Sequence, residues 1–459
     1  MYQIDFHHPI HIYFIGIGGI SMSGLAEILL DEGFTVSGSD MRPSPLTELL
    51  EKRGAHIYYG QRRENLSGDL DLVVYTSAIH PDNPEMQAAA ALSLPLLTRA
   101  ELLGQMMKNY KLPIAISGTH GKTTTTSMIS EILLHAELDP TLSIGGILKT
   151  IGGNIRIGHS EYFVTEACEY TNSFLSFYPK IGLILNIEAD HLDFFKDLAD
   201  IRSSFHRFAL LLPSDGALII NGSISDLSEI TADVACPIIT FGMDPSFTYS
   251  ATDITYDEKG CASFTLLREG APDGHFTLSV PGEHNILNAL AAIALADLLS
   301  VDPSVTAASL SDFHGTDRRF EYKGRINGIT IIDDYAHHPT EITATLKAAA
   351  NYPHKDLYCV FQPHTFSRTK TFMKDFAKAL SHADYVILAD IYPARETDNL
   401  GISSETLQKE LEALGKTCYY FPDFSSIEKF ILEKCKPGDL LITMGAGDVY
   451  LIGEELLGK

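Results

Sequence analysis

The tightest constraint on the fold comes from one strand, turn and helix near the start of the second quarter of the chain. Residues 111–117 read KLPIAIS, a short apolar run that predicts a buried strand. Beyond Thr123, residues Met128, Ile129, Ile132, Leu133 and Leu134 recur at helical spacing. Gly118, Thr119, His120, Gly121, Lys122 and Thr123 join the two elements. A turn of this kind aims free backbone N–H groups and the positive end of a helix dipole at an anion. The glycines let the backbone come close, Lys122 reaches toward β- and γ-phosphates, and the Thr123 hydroxyl can ligate Mg²⁺. The usual loop has a further glycine five residues before its Gly-Lys pair. Ile116 stands there, so this is a shortened phosphate loop.

The rest of the chain is built to surround such a loop. Its 459 residues suggest about three domains of ordinary size. Apolar residues make up 45% and charged residues 20%, the balance of a globular protein. Lys and Arg total 34 against 59 Asp and Glu, a net charge of −25. That argues against nucleic acid as a partner, which needs a basic footprint. It leaves room for anionic substrates, which a glycine loop and a few cations can hold. Cysteines at 168, 236, 261, 359, 418 and 435 form no CxxC pair, so neither a zinc ribbon nor a disulfide framework is expected. The start, MYQIDFHHPI, shows no basic segment leading into an apolar core, so no secretory signal is expected. The nearest approach to a membrane span, LNALAAIALADLL, is interrupted by Asn288 and Asp297. The expected location is the cytoplasm, with no membrane partner.

Three segments follow one another. The first, residues 1–109, opens with a strand at residues 12–15, a turn at Gly16, Gly18 and Gly19, a helix over 21–32 and a strand FTVSGSD ending at Asp40. This is a βαβ unit with a phosphate-binding turn and an acidic residue after the second strand. Ser21 stands where the third glycine of G-x-G-x-x-G belongs. An NAD site, a nucleotide-diphosphate site and a purely structural turn all fit this pattern. The second segment, 110–316, carries strands EYFVTEAC and IGLILNI. Glu166 and Glu169 follow the first, and Asp190, His191 and Asp193 the second. Ligands of open α/β sheets bind at such strand ends. Oxygen donors there suit Mg²⁺, and a histidine suits Mn²⁺ as well. Further on, His284, Asn285 and Asn288 open a long apolar helix; they can face a base or cap the helix. The third segment, 317–459, reads as a hairpin-like pair followed by strand-then-helix units, which predicts another mostly parallel sheet. Its terminal GAGD is a second candidate glycine turn.

Taken in order, GIGGISMSG, GTHGKTTTT, EACE, NIEADHLD, GEHNILNAL, DRRFE, DDYAHHP, FQPH with SRT, and TMGAGD resemble the Mur ligases of peptidoglycan synthesis. The resemblance runs over essentially the whole chain, and GTHGKTT and DDYAHHP are its most specific blocks. It implies an α/β protein of three domains: N-terminal Rossmann-like, a central P-loop ATPase type with a mainly parallel sheet, and C-terminal Rossmann-like. It implies that ATP phosphorylates the lactyl carboxylate of UDP-N-acetylmuramate and that the amine of L-alanine displaces the phosphate. Gly118, Thr119, His120, Gly121, Lys122, Thr123 and Thr124 would hold the ATP phosphates. Thr123 and Glu166 would ligate one Mg²⁺ and His191 a second. His284, Asn285 and Asn288 would meet adenine, Arg319 a phosphate, and Asp334 the ribose. His337, His364 and Arg368 would line the amino-acid site, and Lys122, Glu166, His191 and His337 would carry the chemistry. Gly16, Gly18, Gly19, Ser39, Asp40 and Ser77 would hold UDP, not NAD. Many relatives carry arginine where this chain has Thr365. Relatives that add later amino acids use a carbamylated lysine; the corresponding Phe205-His206-Arg207 has none, which accords with the alanine step. ATP ligands on both later segments imply domain closure over the nucleotide, in a monomer or a homodimer.

Overall fold

The computed structural model describes residues 3–76, 78–394 and 396–459; Ser77, expected at the UDP site, lies outside them. The strands assemble into three sheets, one per segment. The first has the order His56–Tyr59, Thr35–Asp40, His11–Ile15, Leu72–Tyr75, Leu96–Thr98, and every pairing is parallel. Its inner strands are apolar on both faces because helices cover both sides; Leu72, Val73 and Val74 are fully buried. The expected first helix forms at Ile20–Asp31, directly after the glycine turn.

Among the described residues the central sheet has ten strands and is parallel through its middle. Leu112–Ser117 lies between Tyr162–Ala167 and Ile181–Ile184. The register sets Ser117 opposite both Ala167 and Ile184, so three strands end in one row. That alignment puts the phosphate loop, the EACE block and the NIEADHLD block along a single sheet edge, where α/β proteins bind ligands. The helix Lys122–His135 packs against the apolar helix His284–Leu298. The third sheet begins with the expected antiparallel pair, Glu321–Ile326 with Ile329–Asp334, and continues in parallel through Leu440–Met444, Leu357–Phe361, Tyr385–Leu388 and Thr417–Tyr420.

The apolar core does not stop at the segment boundaries. Ile12 and Phe14 of the first sheet share one buried cluster with Phe174, Phe205 and Phe208 of the central segment. Phe174 and Phe208 stack with centroids 4.9 Å apart. Each buried phenylalanine contributes about 1.5–3 kcal/mol, so this seam holds the first sheet against the second. Among the described residues no helix is long and apolar enough to cross a membrane.

Candidate active site

The phosphate loop takes the form its glycines allow. Gly121 sits at φ +83 as the residue before the helix, and a Cβ there would meet Asn288 Oδ1 at 2.6 Å. No side chain caps this helix, so its first-turn N–H groups are left to face an anion. Lys122 folds back over the loop: its Nζ donates to Thr119 O at 3.1 Å, to Gly118 O and to Glu169 Oε2 at 3.0 Å. Burial pulls down the pKa of Lys122, but Glu169 outweighs it and the ammonium is held charged. Glu169 is 2% exposed, and its Oε1 has no hydrogen-bond partner.

Thr123 Oγ1 donates to Glu166 Oε2 at 3.1 Å and accepts from Arg319 Nη2 at 3.3 Å. Glu166 Oε1 accepts from Gly145 N at 2.5 Å. Burial raises the pKa of Glu166 despite these donors, Arg319 and Lys122. A hydroxyl beside a half-buried carboxylate is a donor set that fits a hard divalent cation. His191 adopts φ +53 and stacks on Tyr170 at 4.5 Å. Burial lowers its pKa against the pull of Asp190, which favours the neutral imidazole that a metal requires.

Beside the loop lies a cavity of about 510 Å³. His284, Asn285 and Asn288 form one wall, with Asn288 Nδ2 donating to Asn285 Oδ1 at 2.9 Å and Asn285 Nδ2 to Pro281 O at 2.7 Å. His120, Gly121 and Thr124 form the floor, and Arg319 and Asp334 face them from the third segment. Asp334 accepts backbone N–H groups from Phe320 at 2.8 Å and Ala336 at 2.7 Å. Burial nevertheless lifts its pKa to about 6.

Arg368, His364 and His337, expected at an amino-acid site, lie together beside Asp190. Arg368 Nη2 donates to Asp190 Oδ1 at 3.1 Å, and Nη1 lies 3.2 Å from His364 Nδ1. His337 and His364 rings meet edge to face at 5.8 Å. Burial opposes the charge on Asp190, yet Arg368 and His191 hold its pKa well below the usual carboxylate range. Thr365 sits at φ +65 and caps the short helix Phe366–Thr371 by accepting from Arg368 N at 3.3 Å.

In the first sheet, Gly16 N and Ile17 N donate to Ser39 O at 2.9 and 3.0 Å, and Gly18 N to Asp40 Oδ2 at 2.8 Å. Gly19 precedes the helix without a side-chain cap. Ser39 and Asp40 are strand neighbours and therefore point to opposite faces. The Ser39 hydroxyl is turned inward, donating to the buried Glu85 at 2.6 Å, so only its carbonyl serves the turn. Ser21 accepts from Arg99 Nη1 at 3.0 Å.

Several partners here were not singled out from the sequence. His120 Nδ1 lies 3.1 Å from Glu341 Oε1 and its Nε2 3.5 Å from Glu188 Oε2. Burial pulls the His120 imidazole down, but these two carboxylates raise its pKa to about 9. Thr340 Oγ1 donates to Glu188 Oε2 at 2.7 Å. With Arg319 to Thr123 and Arg368 to Asp190, these contacts draw the central and third segments together around the cavity. The one advance signal was acidity beside the quoted motifs, since Glu188 lies inside NIEADHLD and Glu341 two residues after DDYAHHP.

Comparison with known proteins agrees with this arrangement along the whole chain. Residues 11–111 match the model described as Mur ligase family, catalytic domain; 116–296 match the Mur ligase middle domain; 318–447 match Mur ligase, glutamate ligase domain. A UDP-N-acetylmuramate–L-alanine ligase of Agathobacter rectalis is 60% identical over 459 residues, covering 100% of both chains. The crystal structure of a UDP-N-acetylmuramate-alanine ligase from Thermotoga maritima superposes with a TM-score of 0.81 at 30% identity, covering 98% of each chain. A murein peptide ligase from Psychrobacter arcticus gives 0.72 at 28% identity, again over 98% of each.

Proposed function

The chain belongs to the Mur ligase family, and from that premise we propose that it joins L-alanine to UDP-N-acetylmuramate in an ATP-dependent reaction of peptidoglycan precursor synthesis. The alanine-adding relatives support this reading over the murein peptide ligase, which matches at lower identity and TM-score. The observation that carries it is the Arg368–Asp190 pair. Arg368, a planar fork suited to an amino-acid carboxylate, is held 3.1 Å from the residue that precedes His191. The amine donor's anchor thus adjoins the phosphate clamp.

The residues then divide the work. The first-turn N–H groups of Lys122–His135, Lys122 and Arg319 hold the triphosphate, and its γ-phosphoryl group passes to an oxygen of the lactyl carboxylate, releasing ADP. Thr123 and Glu166 would hold one Mg²⁺ and His191 a second, and these ions would supply charge neutralisation at the phosphate oxygens. The alanine amine attacks the carbonyl of the resulting acyl phosphate, and inorganic phosphate leaves as the amide forms. His337 is kept neutral, its pKa pushed down to about 4 by burial. Its Nδ1 is turned to Tyr335 O at 3.0 Å, which leaves Nε2 to accept a proton from the amine. Adenine packs on His284, Asn285 and Asn288, with the ribose toward Asp334. The glycine turn at Gly16, Gly18 and Gly19 takes the uridine diphosphate, with Asp40 closing it. Segment boundaries near residues 109 and 316 accord with the sheet divisions, and a cytoplasmic location accords with nucleotide-linked substrates.

The test is ¹⁸O transfer. With label in the lactyl carboxylate, ligation should deliver one labelled oxygen to inorganic phosphate, only when both ATP and an amino acid are present. Unlabelled phosphate would refute the acyl-phosphate route, and preference for a tripeptide over alanine would assign the chain to a different ligase.

A further inference from the structure

The expected phosphate loop carries a histidine whose ring is turned toward the third segment. His120 points across the segment boundary, and its ring lies 5.0 Å from that of His338. With Glu188 the two form a group whose ligand atoms all lie within 4.8 Å of one another. Among the described residues His338, only 4% exposed, presents a buried Nε2 that makes no hydrogen bond, and His120 Nε2 meets Glu188 Oε2 only at the long ion-pair distance of 3.5 Å. An unmatched ring nitrogen in a buried site is costly, and a cation between His338 and the Glu188–His120 pair would satisfy it while taking the place of the proton on His120 Nε2.

The His120–Glu188 spacing fits such a partner, and the third ligand lies within reach. Two ligands on one tetrahedral ion, each about 2.0–2.1 Å from it, stand roughly 3.4 Å apart. His120 Nε2 and Glu188 Oε2 are 3.5 Å apart. His120 Nδ1 faces Glu341 at 3.1 Å, the carboxylate–histidine arrangement that fixes the tautomer of a metal-bound imidazole and leaves Nε2 free to coordinate. His338 has only a long contact at Nδ1, 3.4 Å from Thr340 N. Binding an ion at its Nε2 puts the ring proton on Nδ1 and gives up that contact.

We propose that His120, Glu188 and His338 form a transition-ion site separate from the oxygen-rich magnesium position at Thr123 and Glu166. Two imidazoles and one carboxylate select Zn²⁺ or a similar borderline ion over Mg²⁺, with a fourth position for water. His120 and Glu188 come from the central segment and His338 from the third, so a bound ion staples the phosphate loop to the start of the helix Pro339–Ala350. Because both central ligands also line the cavity, the ion sits at its wall.

The test uses the full chain stripped of metal by chelator and titrated with Co²⁺, whose visible ligand-field bands report a four-coordinate site, followed by displacement with Zn²⁺. The variants are His338→Asn, which retains a residue able to cap the helix, and Glu188→Gln, with Glu166→Gln as the control at the phosphate clamp. Thermal melts check that each is folded. The proposal expects one Co²⁺ per chain with tetrahedral bands in the parent and in Glu166→Gln, and binding weaker by at least about a factor of ten in His338→Asn and Glu188→Gln. Absence of bands at stoichiometric Co²⁺ overturns it. So do bands that survive in His338→Asn and vanish in Glu166→Gln, which would put the ion at the phosphate clamp.

Discussion

Lys122 and Glu169 form an ion pair at 3.0 Å in which the lysine side chain is 15% exposed and the glutamate side chain 3%. The pair presets the lysine over the phosphate loop, and its energetics separate stability from catalysis. Removing one member strands the other in a dry site at a cost of about 3–5 kcal/mol. Lys122→Met should therefore lose stability of that order in urea melts, and Lys122→Met with Glu169→Gln should recover most of it. Neither variant should ligate: kcat falls by at least about 10²–10³-fold, while UDP-N-acetylmuramate binding by calorimetry stays close to that of the parent. Substantial turnover in Lys122→Met or Lys122→Ala would contradict the clamp role.

Arg368 sits between Asp190 and His364, and the proposed substrate carboxylate competes for the same fork. Lysine keeps the charge and loses the bidentate geometry. Arg368→Lys should raise KM for alanine by about 10–100-fold, the equivalent of one charge-assisted hydrogen bond, with little change in KM for ATP. Equal effects on both substrates would show that Arg368 acts only on the packing of the two segments.

Burial first, and then Arg368, hold the pKa of His364 down at about 4, against an ordinary 6.5. Between those values the unfolded chain takes up a proton that the folded chain refuses. Stability from this group is complete above pH 6.5 and is lost as pH falls toward 4. The full shift is worth at most about 3 kcal/mol, and the partial exposure of the ring reduces it. His364→Gln should flatten the fall in stability over that window in urea melts recorded at several pH values. A slope unchanged from the parent would mean that the ring is solvated.

Gly121→Ala meets two obstacles at once. Its φ of +83 is left-handed, which disfavours any other L-residue by roughly 1–2 kcal/mol, and the new methyl would press on Asn288 Oδ1 at 2.6 Å. Stability should fall by about that amount or more, and KM for ATP should rise as Asn288 is pushed out of the cavity wall. Stopped-flow nucleotide binding separates the two effects.

Much of this molecule could be read from local pattern. The strand-then-turn units around the phosphate loop were visible because an apolar run, a glycine or polar turn and a helical spacing are all short-range signals, whereas the strands between Ala217 and Pro281 were not read from the sequence. Residues 111–117 became the strand Leu112–Ser117, and the helix expected over 21–32 formed at Ile20–Asp31, shifted by one residue because the turn ends at Gly19. Side-chain direction was harder. Ser39 belongs to the right turn, yet strand parity sends its hydroxyl to Glu85.

The sequence alone determined the element types, the phosphate loop with its Lys122 and Thr123, and the kinship that names a reaction. The tertiary structure alone decided which charges meet. Asp190 and Arg368 are 178 positions apart, His120 and Glu341 are 221 apart, and no local period links either pair. Their meeting depends on how two sheets dock, which is governed by the shape of buried apolar faces and by contacts across the seam. A carboxylate in a motif announces that it is acidic; only packing assigns the cation it will face.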